Sequence, residues 1–544
     1  MAEPSDHSRA PVQDAADSSG TLYWIVVVGV FVAVSVVTLR IYIGTAAWYS
    51  QAVDVIAAPM VLLSVLLAII LPGPGDLVRQ AVVRLSDMRF AYAPIALAVL
   101  PLLALGTVFV VGQIPIAADE LVPIFQARLF ASLRVVAEYD PLTLDSAIPR
   151  VSQGIFVLVS PQGEAMSVYL PGLALLLTPF VWLGVPWLIG PTFGSLAVYL
   201  IGRLGSALVD RRAGLVAMFL TILSGQFLLT AMTPFPEGVH LALSVAFVWL
   251  LVLGQPHHYV LAGLIGGLAL ALKNPFPHFL FVLPWVVWLL FDPTRRRNLL
   301  PLAVGYLPGL VLIAAWMLLQ NQLTPPDLSD DGGFWLSKVS ELVQPPTMYS
   351  IAVRFVELLT TWTWSAPGLL VLAFIGWLRT DDQRLRLLGF SFGLTVIGYT
   401  LFPNQQGLGY GARYFHAAWA VLPLLAASAL MHMRDEGLVR RVFAAALFGL
   451  VLVLPAQLFY GHLLNERRAA PVRALAAPGV DLYFVEFRGE TGVSETVLAN
   501  DYSDPDEIVL VSQGRVRDQL VVDQWYPGAR LVTENDWGRG YDRP

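Results

Sequence analysis

Two adjacent carboxylates, Asp119 and Glu120, stand in the stretch GQIPIAADELVPIFQARLFA (112–131), just beyond the long apolar run Ala91–Val111. Carboxylates at the head of an amphipathic stretch have two uses. Asp119 can cap a helix N-terminus, with Glu120 favoured in the first turn by the helix dipole. Asp119 can also act as a general base, which must lie within hydrogen-bond reach of the hydroxyl proton it removes. The two uses are compatible, because a cap holds the carboxylate in place. A cation of matching interest is Arg413, in FPNQQGLGYGARYF (402–415) just ahead of an apolar run. Its guanidinium can snorkel to a lipid interface or clamp a phosphate bidentately. Tyr410 and Tyr414 beside it are either belt aromatics or walls of a site. Glu237, in TPFPEG (233–238), is a solvated loop residue, a second acid or a metal ligand. Lys273, in KNPFPH (273–278), either snorkels or contacts a phosphate. His240 and His278 have no paired metal-ligand spacing and read as structural, and Arg40 reads as a snorkelling residue.

The elements that must position these groups are membrane helices. The 544 residues are 56% hydrophobic and 13% charged, with mean hydropathy +0.67. Repeated apolar runs then give an all-α polytopic membrane protein. Cysteine is absent, which excludes disulfides, thiolate metal sites and cysteine nucleophiles, and the net charge of −6 gives no basis for nucleic-acid binding. Lys273 and Lys338 are the only lysines. The run Leu22–Ile43 lacks a basic flank and a cleavage site, and reads as an anchor.

Arginines gather in five gaps: Arg79/Arg84/Arg89, Arg203/Arg211/Arg212, Arg295/Arg296/Arg297, Arg379/Arg384/Arg386 and Arg434/Arg440/Arg441. The positive-inside rule places those gaps in the cytoplasm. All five fall inside only if the short run 168–184, with Pro171 and Gly172 near its start, enters and returns to the outer face. This predicts 13 spans plus one re-entrant segment. Residues 1–20 read as a disordered cytoplasmic N-terminus. Residues 21–464 form the transmembrane domain, with outer loops 112–167 and 321–355. Residues 465–544 form a small extracytoplasmic α/β domain.

In the first outer loop, Phe125, Leu129, Leu133 and Val136 recur at helical steps, predicting an interfacial helix. IFVLVS (155–160) and EAMSVY (164–169) predict a hairpin that delivers the chain to Tyr169 and the re-entrant segment. In the tail, 481–487, 507–513 and 529–535 predict strands and 514–526 a helix.

The motifs ADELVPIFQARLF (118–130), SVYLPG (167–172), YLIGRLGSALVDRRAG (199–214) and GARYFHAAWAVLPLL (411–425) occur in an order that resembles bacterial membrane glycosyltransferases of the GT-C fold. The resemblance covers most of residues 90–460. It implies a polyprenyl-phosphate-linked monosaccharide as donor and an extracytoplasmic glycan, lipid or protein as acceptor, within the lipids of a bacterial plasma membrane. It implies that Asp119 is the catalytic base and that Glu120 assists substrate or divalent-cation (Mg or Mn) binding. Arg413 would lie near the carrier phosphate, with Tyr169, Tyr410, Tyr414 and Lys273 beside it. A transporter or flippase, a whole-glycan ligase, and a non-catalytic scaffold of envelope assembly are the rival readings. The middles of the spans are almost free of charge, which disfavours a transporter.

Overall fold

Long apolar runs without interior charge fold as helices here because a lipid phase leaves backbone groups no partner outside the segment. The computed structural model describes residues 52–88, 90–325, 334–404, 406, 409–433, 435–487, 497–500 and 507–544. The segment 1–20, the run 22–43, Arg40, Arg89 and Arg434 lie outside these residues. Among those described, six helices are long and apolar enough to cross a membrane, from Val53–Ile70 to Glu436–Leu475; counting two bent pairs as spans gives eight. The chain is a multi-pass membrane protein.

Among the described residues, several of the thirteen expected spans are not single long helices. The runs near 213–232 and 356–378 are each broken, by bends of 71° and 105°. The second break falls at Ser365–Gly368, where Pro367 has no N–H to give and Gly368 takes φ +84°. Phe276–Phe291 and Val421–Met433 have 16 and 13 residues, short of the roughly 20 that a bilayer core requires. The run 168–184 yields helix Gly172–Trp182, of 11 residues with Pro179 inside, which is too short to cross. Its Leu173, Ala174 and Leu177 pack on Ile124 and Ala127 of helix Ala118–Ala131.

That second helix differs from expectation. It ends at Ala131, and Leu133 follows at φ +57° and 91% exposed. It is also buried around most of its circumference, from Glu120 to Ala127, so it is an internal strut and not an interfacial helix. Val136 leads instead into β1 (Ala137–Glu138), which pairs with β3 (Glu164–Ser167). The expected hairpin is present: β2 (Val157–Val159) pairs antiparallel with β3, Val157 opposite Ser167.

The C-terminal segment carries four strands: β4 (Leu482–Val485), β5 (Ile508–Val511), β6 (Arg530–Asn535) and β7 (Gly538–Asp542), in the order β5-β4-β7-β6. β4 and β5 are parallel, the other pairs are antiparallel, and helix Arg515–Trp525 lies between β5 and β6 in the chain. The sheet packs against the segment 118–159. Val497, Leu498 and Val511 join Leu121, Phe125 and Leu129 in one apolar cluster, and Gln513 Nε2 donates to the Asp145 carbonyl at 3.0 Å. The sheet thus braces helix Ala118–Ala131, on whose first turn Asp119 stands.

Candidate active site

Helix Ala118–Ala131 begins after Ala117, whose extended backbone (φ −138°, ψ 155°) makes it the N-cap. Alanine has no side-chain acceptor. The cap comes from Glu120, whose Oε2 accepts from the Ile116 and Ala117 amides at 2.7 and 3.2 Å. This reverses the expected division of labour: Glu120 caps, and Asp119 does not. Burial drives the Glu120 carboxyl up to about 8, against the two amide bonds that favour its charge. The folded state therefore holds a proton on Glu120 that the unfolded chain releases near the ordinary glutamate value of about 4.3. Stability falls as pH rises between that value and about 8, by roughly 1.4 kcal/mol per unit, and levels off above. Glu120→Gln keeps the capping acceptor and cannot ionise. Thermal unfolding from pH 5 to 9 should show a flatter profile for this variant and a higher Tm than wild type at pH 8.

With Glu120 folded back, Asp119 points the other way. Its Oδ1 accepts from the Tyr169 hydroxyl at 2.6 Å. Its Oδ2 meets Lys273 Nζ at 2.7 Å and Arg413 Nη1 at 2.9 Å. The opposing effect of burial is outweighed by the charges of Lys273 and Arg413, which hold the Asp119 carboxyl well below the usual carboxylate range. Arg413 Nη1 also lies 3.7 Å from Glu237 Oε1. Two cations and two carboxylates thus form one cluster, Arg413 and Glu237 buried and Asp119 and Lys273 half-buried.

Local backbone contacts bring these groups together. The Leu170 amide donates to the Lys273 carbonyl at 3.0 Å, and that of Gly172 to the Ala271 carbonyl at 2.7 Å. A Cβ at residue 172 would stand 2.6 Å from the Ala271 oxygen, so the tight seam admits glycine alone. This seam sets Tyr169 beside Lys273, whose ammonium lies 5.1 Å from the centre of the phenol ring.

Arg413 is 3% exposed, which removes the snorkelling reading. Its backbone N–H donates to Gln406 Oε1 at 2.8 Å, and its Nη2 donates to the Gln406 carbonyl. Gln226 Nε2 donates to the Ala412 carbonyl at 2.9 Å. One step further out, Arg354 pairs with Glu357 at 2.7 Å and donates to the Asn404 carbonyl at 2.5 Å. The Arg354 guanidinium lies 4.9 Å from the Tyr414 ring centre, and Tyr414 stacks on Tyr399. Both members of the Arg354–Glu357 pair are buried. Sequence reasoning missed Gln226, Arg354, Glu357 and Gln406; the Arg-x-x-Glu spacing at 354–357 reads as an ordinary helix-surface pair.

A cavity of about 690 Å³ opens onto the cluster. Its walls include Asp119, Tyr169, Glu237, His240, Lys273, Arg413 and Tyr414. Helix Phe334–Leu342 adds Lys338 and Glu341, so both lysines of the chain line one cavity. Glu120 and Tyr410 do not line it. The Tyr410 hydroxyl accepts from Asn465 at 3.3 Å and its ring abuts Phe235. His278 is likewise engaged elsewhere, with Tyr306 at 2.8 Å. His240, expected to be structural, is on the wall. The residues present do not fit a divalent cation: no group of three or more His, Cys, Asp or Glu converges among the described residues. Both Asp119 oxygens already take donors from Tyr169, Lys273 and Arg413.

No protein-family model matches the sequence, and no curated protein matches it. Solved structures do. ArnT from Cupriavidus metallidurans, solved bound to undecaprenyl phosphate, aligns with TM-score 0.52 at 13% identity, over 83% of this chain and 96% of ArnT. The chain has the GT-C fold of ArnT. The apo form of ArnT aligns with the same TM-score over 82% of this chain and 96% of its own. The oligosaccharyltransferase of Archaeoglobus fulgidus is a looser match, TM-score 0.38 at 15% identity over 75% of this chain and 58% of its own. The resemblance read from the motif order is thus borne out as a fold, and the ArnT-like fold is what brings Asp119 and Arg413 together across the bundle.

Proposed function

We propose that this protein is a membrane glycosyltransferase that moves a monosaccharide from a polyprenyl-phosphate carrier to a hydroxyl of an acceptor outside the cytoplasm. The observation that carries the proposal is the Asp119–Lys273–Arg413 cluster on the cavity wall, a carboxylate with two cations each within 3 Å of its Oδ2. The undecaprenyl phosphate bound to ArnT supports the choice of carrier. The arginine gaps support an outward-facing cavity. Three of them converge at one end of the bundle, where Arg79 pairs with Glu436 and Arg440 approaches Asp76, and where Tyr92 bonds the Arg211 carbonyl.

In this reading the acceptor hydroxyl gives its proton to Asp119 as its oxygen forms a bond to the anomeric carbon. The bond from that carbon to the carrier phosphate breaks, and the phosphate leaves with the electron pair. Lys273 and Arg413 stabilise the charge it gains. The resting Asp119 is a weak base because the same two cations hold it. An incoming phosphate competes for them, and a carboxylate that loses charged donors becomes a stronger base. Donor binding therefore prepares the base before the acceptor is deprotonated.

The test is binding of undecaprenyl phosphate to the purified full chain in nanodiscs. Wild type should bind it saturably. Lys273→Ala should weaken binding by roughly tenfold or more, the worth of one charge-assisted contact. No binding by wild type, or equal binding by the variant, refutes the assignment of the phosphate site.

A further inference from the structure

The transfer chemistry leaves part of the cavity wall unused. Glu237 and His240 sit three residues apart in helix Pro236–Leu253, so their side chains share one helix face. Both line the cavity, and they are 8% and 2% exposed. Neither ring nitrogen of His240 has a hydrogen-bond partner, and Glu237 Oε2 has none either. Glu237 Oε1 lies 3.7 Å from Arg413 Nη1. Buried polar atoms left unpaired are costly, and three sit here on one helical turn. A phenylalanine at 240 would fill similar space without that cost. The arrangement makes sense if a ligand supplies the missing bonds.

Resting on the glycosyltransferase reading, we propose that Glu237 and His240 form the subsite that holds the hydroxyl groups of the transferred sugar and sets which sugar is accepted. A carboxylate offers acceptors only. A neutral imidazole offers one donor and one acceptor. That set suits neighbouring hydroxyls of a pyranose or furanose, each of which can both give and accept a hydrogen bond. The location suits it too. Arg413 bridges Asp119 and Glu237 through the same Nη1, so a sugar whose phosphate lies on Arg413 places its ring against this turn. A site built to bond hydroxyls rejects analogues that lack them far more strongly than an apolar pocket does.

The experiment compares two ligands on three full-length proteins in nanodiscs: wild type, His240→Phe and Glu237→Gln. One ligand is bare undecaprenyl phosphate. The other is undecaprenyl phosphate carrying a single glucose, mannose, galactose or arabinose, used as a panel. Wild type should bind at least one sugar-bearing carrier more tightly than the bare one. His240→Phe should bind the bare carrier as wild type does, and Glu237→Gln at least as tightly, since a carboxylate beside Arg413 is gone; both should lose that preference, by roughly tenfold or more. His240→Phe should not lower Tm, because it removes unpaired buried nitrogens. A variant that keeps the wild-type preference overturns the subsite, as does a wild type with no preference across the panel. Stabilisation of wild type by Mg²⁺ or Mn²⁺ alone, lost in Glu237→Gln, makes the pair a cation site and overturns it as well. Failure of the wild type to bind even the bare carrier is the distinct result that overturns the glycosyltransferase reading itself.

Discussion

Asp119→Asn should lower sugar transfer by roughly a hundred- to ten-thousandfold, the range a positioned general base supplies. The amide is the same size as the carboxylate but takes no proton at neutral pH. Its oxygen can still accept from Lys273 or Arg413, so the cavity keeps its shape. It cannot balance their charge. Lys273 Nζ and Arg413 Nη1 lie 2.7 and 2.9 Å from one carboxylate oxygen, and only Glu237, 3.7 Å from Arg413, would remain opposite them. Breaking a buried ion pair costs about 3–5 kcal/mol when one charge is left bare; the residual amide bonds and Glu237 make the loss here smaller. Tm should therefore fall while the protein stays folded. Carrier binding should move the other way. The resting carboxylate competes with phosphate for both cations, so its removal should leave undecaprenyl phosphate bound as tightly as in wild type, or more tightly. Turnover and carrier binding measured on the same preparation separate the base from a structural role. Near-normal turnover in Asp119→Asn would leave only an ion pair.

How far the site could be read from the chain follows from what each residue does. Asp119, Lys273 and Arg413 were readable because a charge beside a long apolar run is conspicuous. Tyr169 came from the motif that ends the hairpin. The reason they meet was not readable, since 294 positions separate Asp119 from Arg413 and only the packing of the bundle closes that distance. Glu120 was misassigned because the usual helix-start signal is a Ser, Thr, Asn or Asp at the N-cap. Here the N-cap is Ala117, and the acid in the third helical position caps alone. Tyr410 stood near Arg413 in sequence, yet Gly409 and Gly411 take φ +156° and +63°, and the turn they make sends Tyr410 to Asn465. His240 has no metal-ligand spacing in the sequence, and spacing is blind to a single imidazole on a cavity wall.

The same logic holds for the larger elements. Apolar runs marked the helices but not where they break, because Ser365–Gly368 is a short interruption within a run that otherwise averages as one span. The end of helix Ala118–Ala131 was overrun because Leu133 and Val136 kept the helical spacing after the backbone had left it. β7, Gly538–Asp542, lacks the β-branched residues that mark strands. It forms because β4 and β6 pair with it from both sides and because Arg539 is tied to Asp518 and Ser512, both at 2.7 Å.

Arg413→Lys should be nearly as damaging to carrier binding as Arg413→Ala. A lysine keeps the charge and a long stem. It loses the planar fork that lets one side chain serve two directions at once. In the structure Nη1 faces Asp119 and Glu237 while Nη2 donates to the Gln406 carbonyl. The stack of Phe235 under the guanidinium, 4.6 Å from its carbon, favours a flat cation. A lysine ammonium reaching Asp119 would release the Gln406 carbonyl, leaving Gln406 to its side-chain bonds with the Gly411 carbonyl and the Arg413 amide. Each variant should weaken undecaprenyl phosphate binding by roughly ten- to a hundredfold, or 1.5–3 kcal/mol. Arg413→Ala should lose more stability as well, because it removes the cation that lies 3.7 Å from Glu237. Titration of the carrier into the three proteins in nanodiscs, with Tm recorded for each, gives both numbers. A lysine variant with wild-type affinity would show that charge alone is needed and that the fork is not used. An alanine variant with wild-type affinity would remove Arg413 from the phosphate site and leave Lys273 as its cation, since that side chain reaches the same Asp119 oxygen.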